Sequence, residues 1–359
     1  MILDIVKVFL PAVGAFILGI LVTPILTNYL YSHKMWKKKS GKIALDGSTA
    51  EVFNGLHREK EVNTPRMGGI IIWFSSAVII IGIWILAKIF PGDLISKLDF
   101  LSRSQTWVPL GTLLLGAFAG LVDDYLEIKR SERTDGKNGG LSLKIRLSIV
   151  FVISLACALW FYMKLDVTGI GLPFGLGEFY LGPLFVILFL LTSLFIYASG
   201  VIDGIDGLSG GVFATIFTAY AGIAFYQQQI NLAAFCATIA GGILAFLWFN
   251  IPPARFYMTE TGTMGLTLTL TVVAFMTDRL GEGYGFLVLP VIALPLVITV
   301  LSDLIQVLSK KFRGKKVFLV APLHHHFEAI GWPAYKVTMR YWIISLVCAV
   351  IGITLALIG

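Results

Sequence analysis

Ten apolar runs recur along this chain, near residues 7–31, 68–90, 106–126, 146–164, 180–199, 207–228, 230–250, 262–277, 284–308 and 338–358. Each is long enough, or nearly so, to cross about 30 Å of hydrocarbon as a helix. Backbone polar groups in hydrocarbon must be satisfied within the segment, and for runs of this length that means helix. The pattern predicts an all-α integral membrane protein with about ten transmembrane helices, forming a single polytopic domain over residues 1–359. The eighth run is the shortest. The ninth contains Pro290 and Pro295, so a bend is expected there. The first contains Pro11 and Pro24 and no convincing small-residue cleavage site, so it reads as a retained helix and not a signal peptide.

Charge gives the sidedness. Only 14% of the residues are charged, against 57% hydrophobic; a soluble domain carries roughly 25% charged residues. The net charge of +7 is gathered in three loops. Lys34, Lys37, Lys38, Lys60 and Arg66 are among those after the first run; Lys129, Arg130 and Lys144 lie after the third; Lys310, Lys311 and Arg313 lie after the ninth. The positive-inside rule places these loops in the cytoplasm, and an even span count then puts both termini outside the cell membrane. So the positive charge is a topological signal and not a nucleic-acid footprint. On the outer side, Gly169, Gly171, Pro173, Gly175 and Gly177 predict a short hairpin. Cys157, Cys236 and Cys348 all lie in apolar runs and read as packing residues, with no disulfide framework.

Every unusual polar cluster falls on the cytoplasmic side. The clusters are NTPRMGG (Asn63–Gly69), Asp123 with Asp124, VIDGIDGLSGG (Val201–Gly211), the segment Asn250–Glu260, and His324, His325 and His326. Ionisable groups at the edge of hydrocarbon are costly and are read as functional by default. Asp123 and Asp124 are adjacent, so on a helix they point about 100° apart. That suits separate roles, one near a metal and one toward a second substrate. If the segment from Asp203 to Asp206 is helical, its two carboxylates share a face. The plainer alternatives are solvated carboxylates at a helix end, capping aspartates in an Asp-Gly turn, and a basic loop against lipid headgroups. A transporter would place ionisable groups at mid-membrane and on both faces, unlike this one-sided pattern.

Hard carboxylate ligands with cationic partners point to magnesium-assisted phosphoryl transfer. The sequence has no Walker loop, kinase signature or HExxH zinc motif. Gly207–Gly211 matches G-x-S-x-G, but it opens a transmembrane helix and cannot be a nucleophile elbow. Three consecutive histidines on a helix diverge, which argues against a zinc site. Hydrogen bonding to phosphate or sugar oxygens suits them better.

These strings resemble the phospho-N-acetylmuramoyl-pentapeptide transferases, a branch of the polyprenyl-phosphate N-acetylhexosamine-1-phosphate transferases. The resemblance covers nearly the whole chain and rests on TPRMGG, LVDDY, DGIDGLSGG, FLWFN, APLHHHFE, GWP and RYWIISL. The histidine-rich string is the most specific to this branch. The resemblance implies ten helices, a homodimer, Mg2+ dependence and a cytoplasmic-face active site in the bacterial cytoplasmic (inner) membrane. It implies transfer of phospho-MurNAc-pentapeptide from UDP-MurNAc-pentapeptide to undecaprenyl phosphate, giving lipid I and UMP for peptidoglycan synthesis. By the same resemblance Asp123 is the base on the lipid phosphate and Asp124 its companion. Asp203 joins the catalytic set, Glu260 takes the place of the metal-binding aspartate, and Asp124 is expected beside the metal. Lys60, Arg146, Gly204, Asp206, Asn250, Tyr257, His324, His325 and His326 fall at substrate-binding positions.

The chain departs from the family pattern at several points. A family string like FMGDTGS reads YMTETGT here, so Glu260 replaces aspartate with one more methylene. Arg66 stands for the second threonine of TPTMGG, Gly200 for an asparagine, and Thr299 for a glutamate, with Asp303 one turn on. These departures leave two alternatives open: a related transferase using another UDP-sugar, or a catalytically impaired scaffold.

Overall fold

The structure, a computed structural model, describes residues 1–38, 62–102, 105–131, 139–173 and 175–358. Lys60 lies outside the described residues. The ten apolar runs all become helix. They are α1 (Ile2–Ser32), α2 (Ile70–Ile89), α4 (Trp107–Ser131), α5 (Leu143–Lys164), α6 (Leu184–Ala198), α7 (Leu208–Tyr226), α8 (Ile230–Asn250), α9 (Thr259–Met276), the pair α10 (Gly285–Ile292) and α11 (Leu294–Arg313), and α13 (Ala334–Ile358). Short helices α3 (Asp93–Leu98) and α12 (Leu323–Ala329) lie between them. Eight helices among the described residues are long and apolar enough to cross a membrane, and the α10–α11 pair makes a ninth. The protein is thus a multi-pass membrane protein. The pair is bent by 71° at the proline-flanked break, as Pro290 and Pro295 predict.

The eighth run becomes α9, which differs in kind from the others. It is rich in threonine, and every one of its residues except Glu260 is buried. Its hydroxyls turn back onto its own carbonyls: Thr267 Oγ1 donates to Thr263 O at 2.7 Å, and Thr263 Oγ1 to Thr259 O at 3.2 Å. A helix whose hydroxyls mostly turn back onto its own carbonyls or onto a neighbouring helix can occupy the centre of a bundle without lipid contact. Protein, not lipid, surrounds α9, which relaxes the demand for continuous apolar sequence.

Helix α4 packs against α9 through small residues, as close packing between membrane helices requires. A Cβ at Gly120 would collide with the Glu260 carbonyl, and one at Gly116 would press on Gly265. This contact brings Asp123 and Asp124, one turn beyond Gly120, against the start of α9. The predicted hairpin also forms, with β1 (Gly169–Leu172) antiparallel to β2 (Gly177–Tyr180). Asp278 holds it, accepting from Gly171 N at 2.7 Å and from Phe286 N at 3.0 Å.

Candidate active site at the helix ends

The two adjacent aspartates part company. Asp124 is completely buried and turns into the bundle. Its Oδ2 accepts from Thr259 Oγ1 at 2.5 Å, Thr261 N at 2.9 Å and Thr261 Oγ1 at 2.6 Å, and its Oδ1 accepts from Arg66 Nη2 at 3.1 Å. Asp123 turns the other way. It accepts from Leu141 N and lies 3.8 Å from Arg146 Nη1. The same guanidinium nitrogen donates to Glu260 Oε1 at 2.8 Å. Asp123 and Glu260, from α4 and α9, therefore converge on one arginine carried by α5.

A cleft of about 370 Å³ opens beside them, lined by Asp123, Glu127, Arg130, Gly139, Gly140, Leu141, Ser142 and Arg146. Two guanidinium groups and the start of α5 favour an anion there, while Asp123 and Glu127 favour a cation. Such mixed charge suits a phosphorylated substrate accompanied by a divalent ion.

Asp203 and Asp206 do not share a helical face. Ser199–Ile202 forms a 3-10 turn that ends at Asp203, and Gly207 then takes a left-handed backbone before α7 begins. Asp203 accepts from Ser209 Oγ at 2.6 Å and from Thr259 N at 2.7 Å, whereas Asp206 accepts from Ala254 N at 3.2 Å. Burial pushes the Asp203 carboxyl above the usual carboxylate range, against the pull of its Ser209 and Thr259 donors. The turn is clasped from α13: Thr338 Oγ1 donates to Asp206 O and Trp342 Nε1 to Gly207 O, both at 3.0 Å. That explains the RYWIISL string structurally.

Asn250, expected at a substrate-binding position, is buried and occupied. Its Oδ1 accepts from Gly207 N at 3.0 Å and its Nδ2 donates to Phe256 O at 2.8 Å. Both ends of the amide are thus taken by backbone, and the residue acts as a clasp between α8 and the aspartate turn. Tyr257 is half-buried, and its backbone pairs with the TPRMGG string, accepting from Gly68 N at 2.8 Å and donating to Pro65 O at 2.9 Å.

The histidines lie on α12, and against the expectation that all three diverge, His324 and His325 converge on Gly204 while His326 alone turns away. His324 and His325 are buried with ring centroids 4.3 Å apart. Their Nε2 atoms crowd Gly204 so closely that no Cβ fits there. His325 Nδ1 lies 2.7 Å from Glu328 Oε2. His326 instead faces its own loop, where its Nδ1 lies 3.2 Å from Leu319 N.

Sequence reasoning left four contributors out of the site: Arg66, Glu127, Lys37 and Thr259. Arg66 bridges Asp124 and Glu127, and Lys37 closes the network at 2.7 Å from Glu127 Oε1. Thr259 joins Asp124 to Asp203. For Arg66 and Thr259 the signal was a departure from the family string, an arginine for threonine and a threonine for glycine.

A family model described as glycosyl transferase family 4 matches residues 106–278. The chain is also similar over nearly its full length to curated proteins named phospho-N-acetylmuramoyl-pentapeptide-transferase. One from Chloroflexus aurantiacus is 33% identical, covering 99% of this chain and 91% of the relative. One from Levilactobacillus brevis is 31% identical, covering 97% and 98%. One from Anoxybacillus flavithermus is 30% identical, covering 97% of each.

Proposed function

This chain belongs to the phospho-N-acetylmuramoyl-pentapeptide transferases, and from that membership we infer that it transfers phospho-MurNAc-pentapeptide to a lipid carrier in peptidoglycan synthesis. The donor is UDP-MurNAc-pentapeptide and the acceptor undecaprenyl phosphate, with lipid I and UMP as products. The single observation that carries the reading is the convergence of Asp123 and Glu260 on Arg146 beside the cleft.

Asp123 serves as the base that takes the proton of the lipid phosphate. The freed oxygen forms a bond to the sugar-bearing phosphorus, and the pyrophosphate bond to uridine monophosphate breaks, releasing UMP. Arg146 and Arg130 hold phosphate oxygens by charge-assisted hydrogen bonds. His324, His325 and the Gly204 turn shape the end that receives the sugar and peptide. Asp203 holds the entry to α9 by accepting from Thr259 N.

The family implies a divalent ion, and the carboxylates differ in how they fit one. Asp124 is sealed and its oxygens accept four hydrogen bonds, so it does not fit. The Glu260 side chain is 24% exposed and shares the arginine with Asp123, so it fits. Among the described residues no three acidic, histidine or cysteine side chains form a cage. Magnesium commonly takes only one or two carboxylates, the rest of its shell coming from substrate phosphates and water. When bound, such an ion neutralises charge on the breaking pyrophosphate. On this reading the protein lies in the cytoplasmic membrane with the cleft on its inner side, the even span count puts both termini outside, and a homodimer is the expected assembly.

A panel of UDP-sugars offered to the purified protein with undecaprenyl phosphate and Mg2+ tests the assignment. UMP release with UDP-MurNAc-pentapeptide alone supports it; release with another UDP-sugar instead contradicts it. A magnesium titration of Glu260→Gln tests the ligand. A sharply raised requirement or lost activity is expected, and an unchanged titration removes Glu260 from the metal shell.

A further inference from the structure

Thr259 stands directly before Glu260 with φ +55°. This is left-handed backbone, which β-branched residues rarely adopt. Glycine reaches such a conformation without steric cost, and the family string FMGDTGS has glycine at this place. Something must therefore hold the threonine here, and two aspartates do so. Asp203 Oδ2 accepts its N–H at 2.7 Å, and Asp124 Oδ2 accepts its hydroxyl at 2.5 Å. The hydroxyl also accepts from Met67 N at 3.2 Å, and Met67 itself has φ +69°. Two left-handed residues, one from the TPRMGG string and one from the mouth of α9, thus meet at a single oxygen.

The position matters because Glu260 is the next residue in the chain. Glu260 carries one methylene more than aspartate, so its carboxylate reaches the same point only if its backbone is set differently. Thr261, on its other side, is held by the same Asp124 through both N and Oγ1. Both neighbours of Glu260 are therefore anchored to one carboxylate, and Arg146 receives its tip.

We propose that Thr259 is a positioning residue: held left-handed by Asp124 and Asp203, it aims the longer Glu260 side chain at the Arg146–Asp123 cleft. Threonine at 259 and glutamate at 260 act as a matched pair that replaces glycine and aspartate. The inference rests on the reading of Glu260 as the metal-side carboxylate.

The test uses the full-length purified enzyme and four variants, Thr259→Ser, Thr259→Gly, Glu260→Asp and the double variant Thr259→Gly/Glu260→Asp. Four quantities are read: kcat, KM for UDP-MurNAc-pentapeptide, the rise in melting temperature on adding Mg2+, and the melting temperature without metal. Thr259→Ser keeps the hydroxyl and should stay near wild type. Thr259→Gly should keep its metal-free melting temperature, because lost hydrogen bonds are offset by relief of strain. It should nevertheless lose Mg2+ affinity and kcat by about 10- to 100-fold, the usual effect of removing a group that orients a ligand, with KM changing less. Glu260→Asp should be impaired alone and largely recovered in the double variant, a non-additive result that independent sites do not give. If Thr259→Gly fails to fold, Thr259→Ala removes the same hydroxyl and should show the same loss of Mg2+ affinity.

Wild-type Mg2+ response in Thr259→Gly, or losses in the double variant equal to the product of the single losses, would overturn the proposal. Failure of the underlying reading looks different: Glu260→Gln would then itself leave both the Mg2+ response and kcat unchanged.

Discussion

Arg66 Nη2 stands 3.1 Å from Asp124 Oδ1 and 2.6 Å from Glu127 Oε2, so one guanidinium nitrogen closes the inner wall of the site. Asp124 is completely buried, and its other oxygen is taken by the start of α9. The arginine therefore supplies the charge that lets a carboxylate remain in this position.

Removing that charge should destabilise the protein. Arg66→Met leaves a buried carboxylate without its ion-pair partner, a change that costs about 3–5 kcal/mol in other buried pairs. The expected outcome is a large fall in melting temperature in detergent, smaller for Arg66→Lys. Glu127→Gln should cost less than Arg66→Met, because Glu127 is more exposed than Asp124. Equal stability of Arg66→Met and wild type would refute the role.

Asn250 gives a test between clasp and ligand. Asn250→Ala leaves the Gly207 N–H and the Phe256 carbonyl without their side-chain partners. Unsatisfied buried groups cost about 1–3 kcal/mol each. Melting temperature should fall while KM for the nucleotide substrate in the surviving folded enzyme stays near wild type. A stable variant with a strongly raised KM would restore Asn250 to the substrate contacts.

The histidines should be unequal. His324 and His325 press on Gly204, and His326 does not. Alanine at 324 or 325 should therefore reduce activity more than alanine at 326, and Gly204→Ala should be among the most damaging changes in the turn. Strong chelation of transition metals should leave the magnesium-supplied enzyme active. Stoichiometric zinc, lost together with activity in all three alanine variants, would contradict this assignment.

Much of the architecture was legible because hydrocarbon imposes a simple rule on sequence. Each long apolar run became a helix, and Pro290 and Pro295 marked the bend. Gly169 to Gly177 marked the hairpin. Helix α9 was the least legible because its neighbours, not its composition, decide whether its threonines are tolerated. Within the site, the split between Asp123 and Asp124 came from helical geometry alone. What Asn250, Arg66 and Thr259 touch did not, because their partners come from elsewhere in the chain and from long-range packing. The Asp203–Asp206 segment took the Asp-Gly turn and not the helix on which a shared face depended, because its glycines permit a turn that periodicity does not encode.

The most direct test of the account is lipid I formation by purified Asp123→Asn, measured beside wild type with UDP-MurNAc-pentapeptide, undecaprenyl phosphate and Mg2+. Asparagine preserves the shape and an acceptor for Leu141 N but cannot take a proton. A general base contributes about 100- to 10,000-fold, so the account predicts a kcat loss in that range with the melting temperature retained. Near-normal lipid I formation and UMP release by this variant would contradict it.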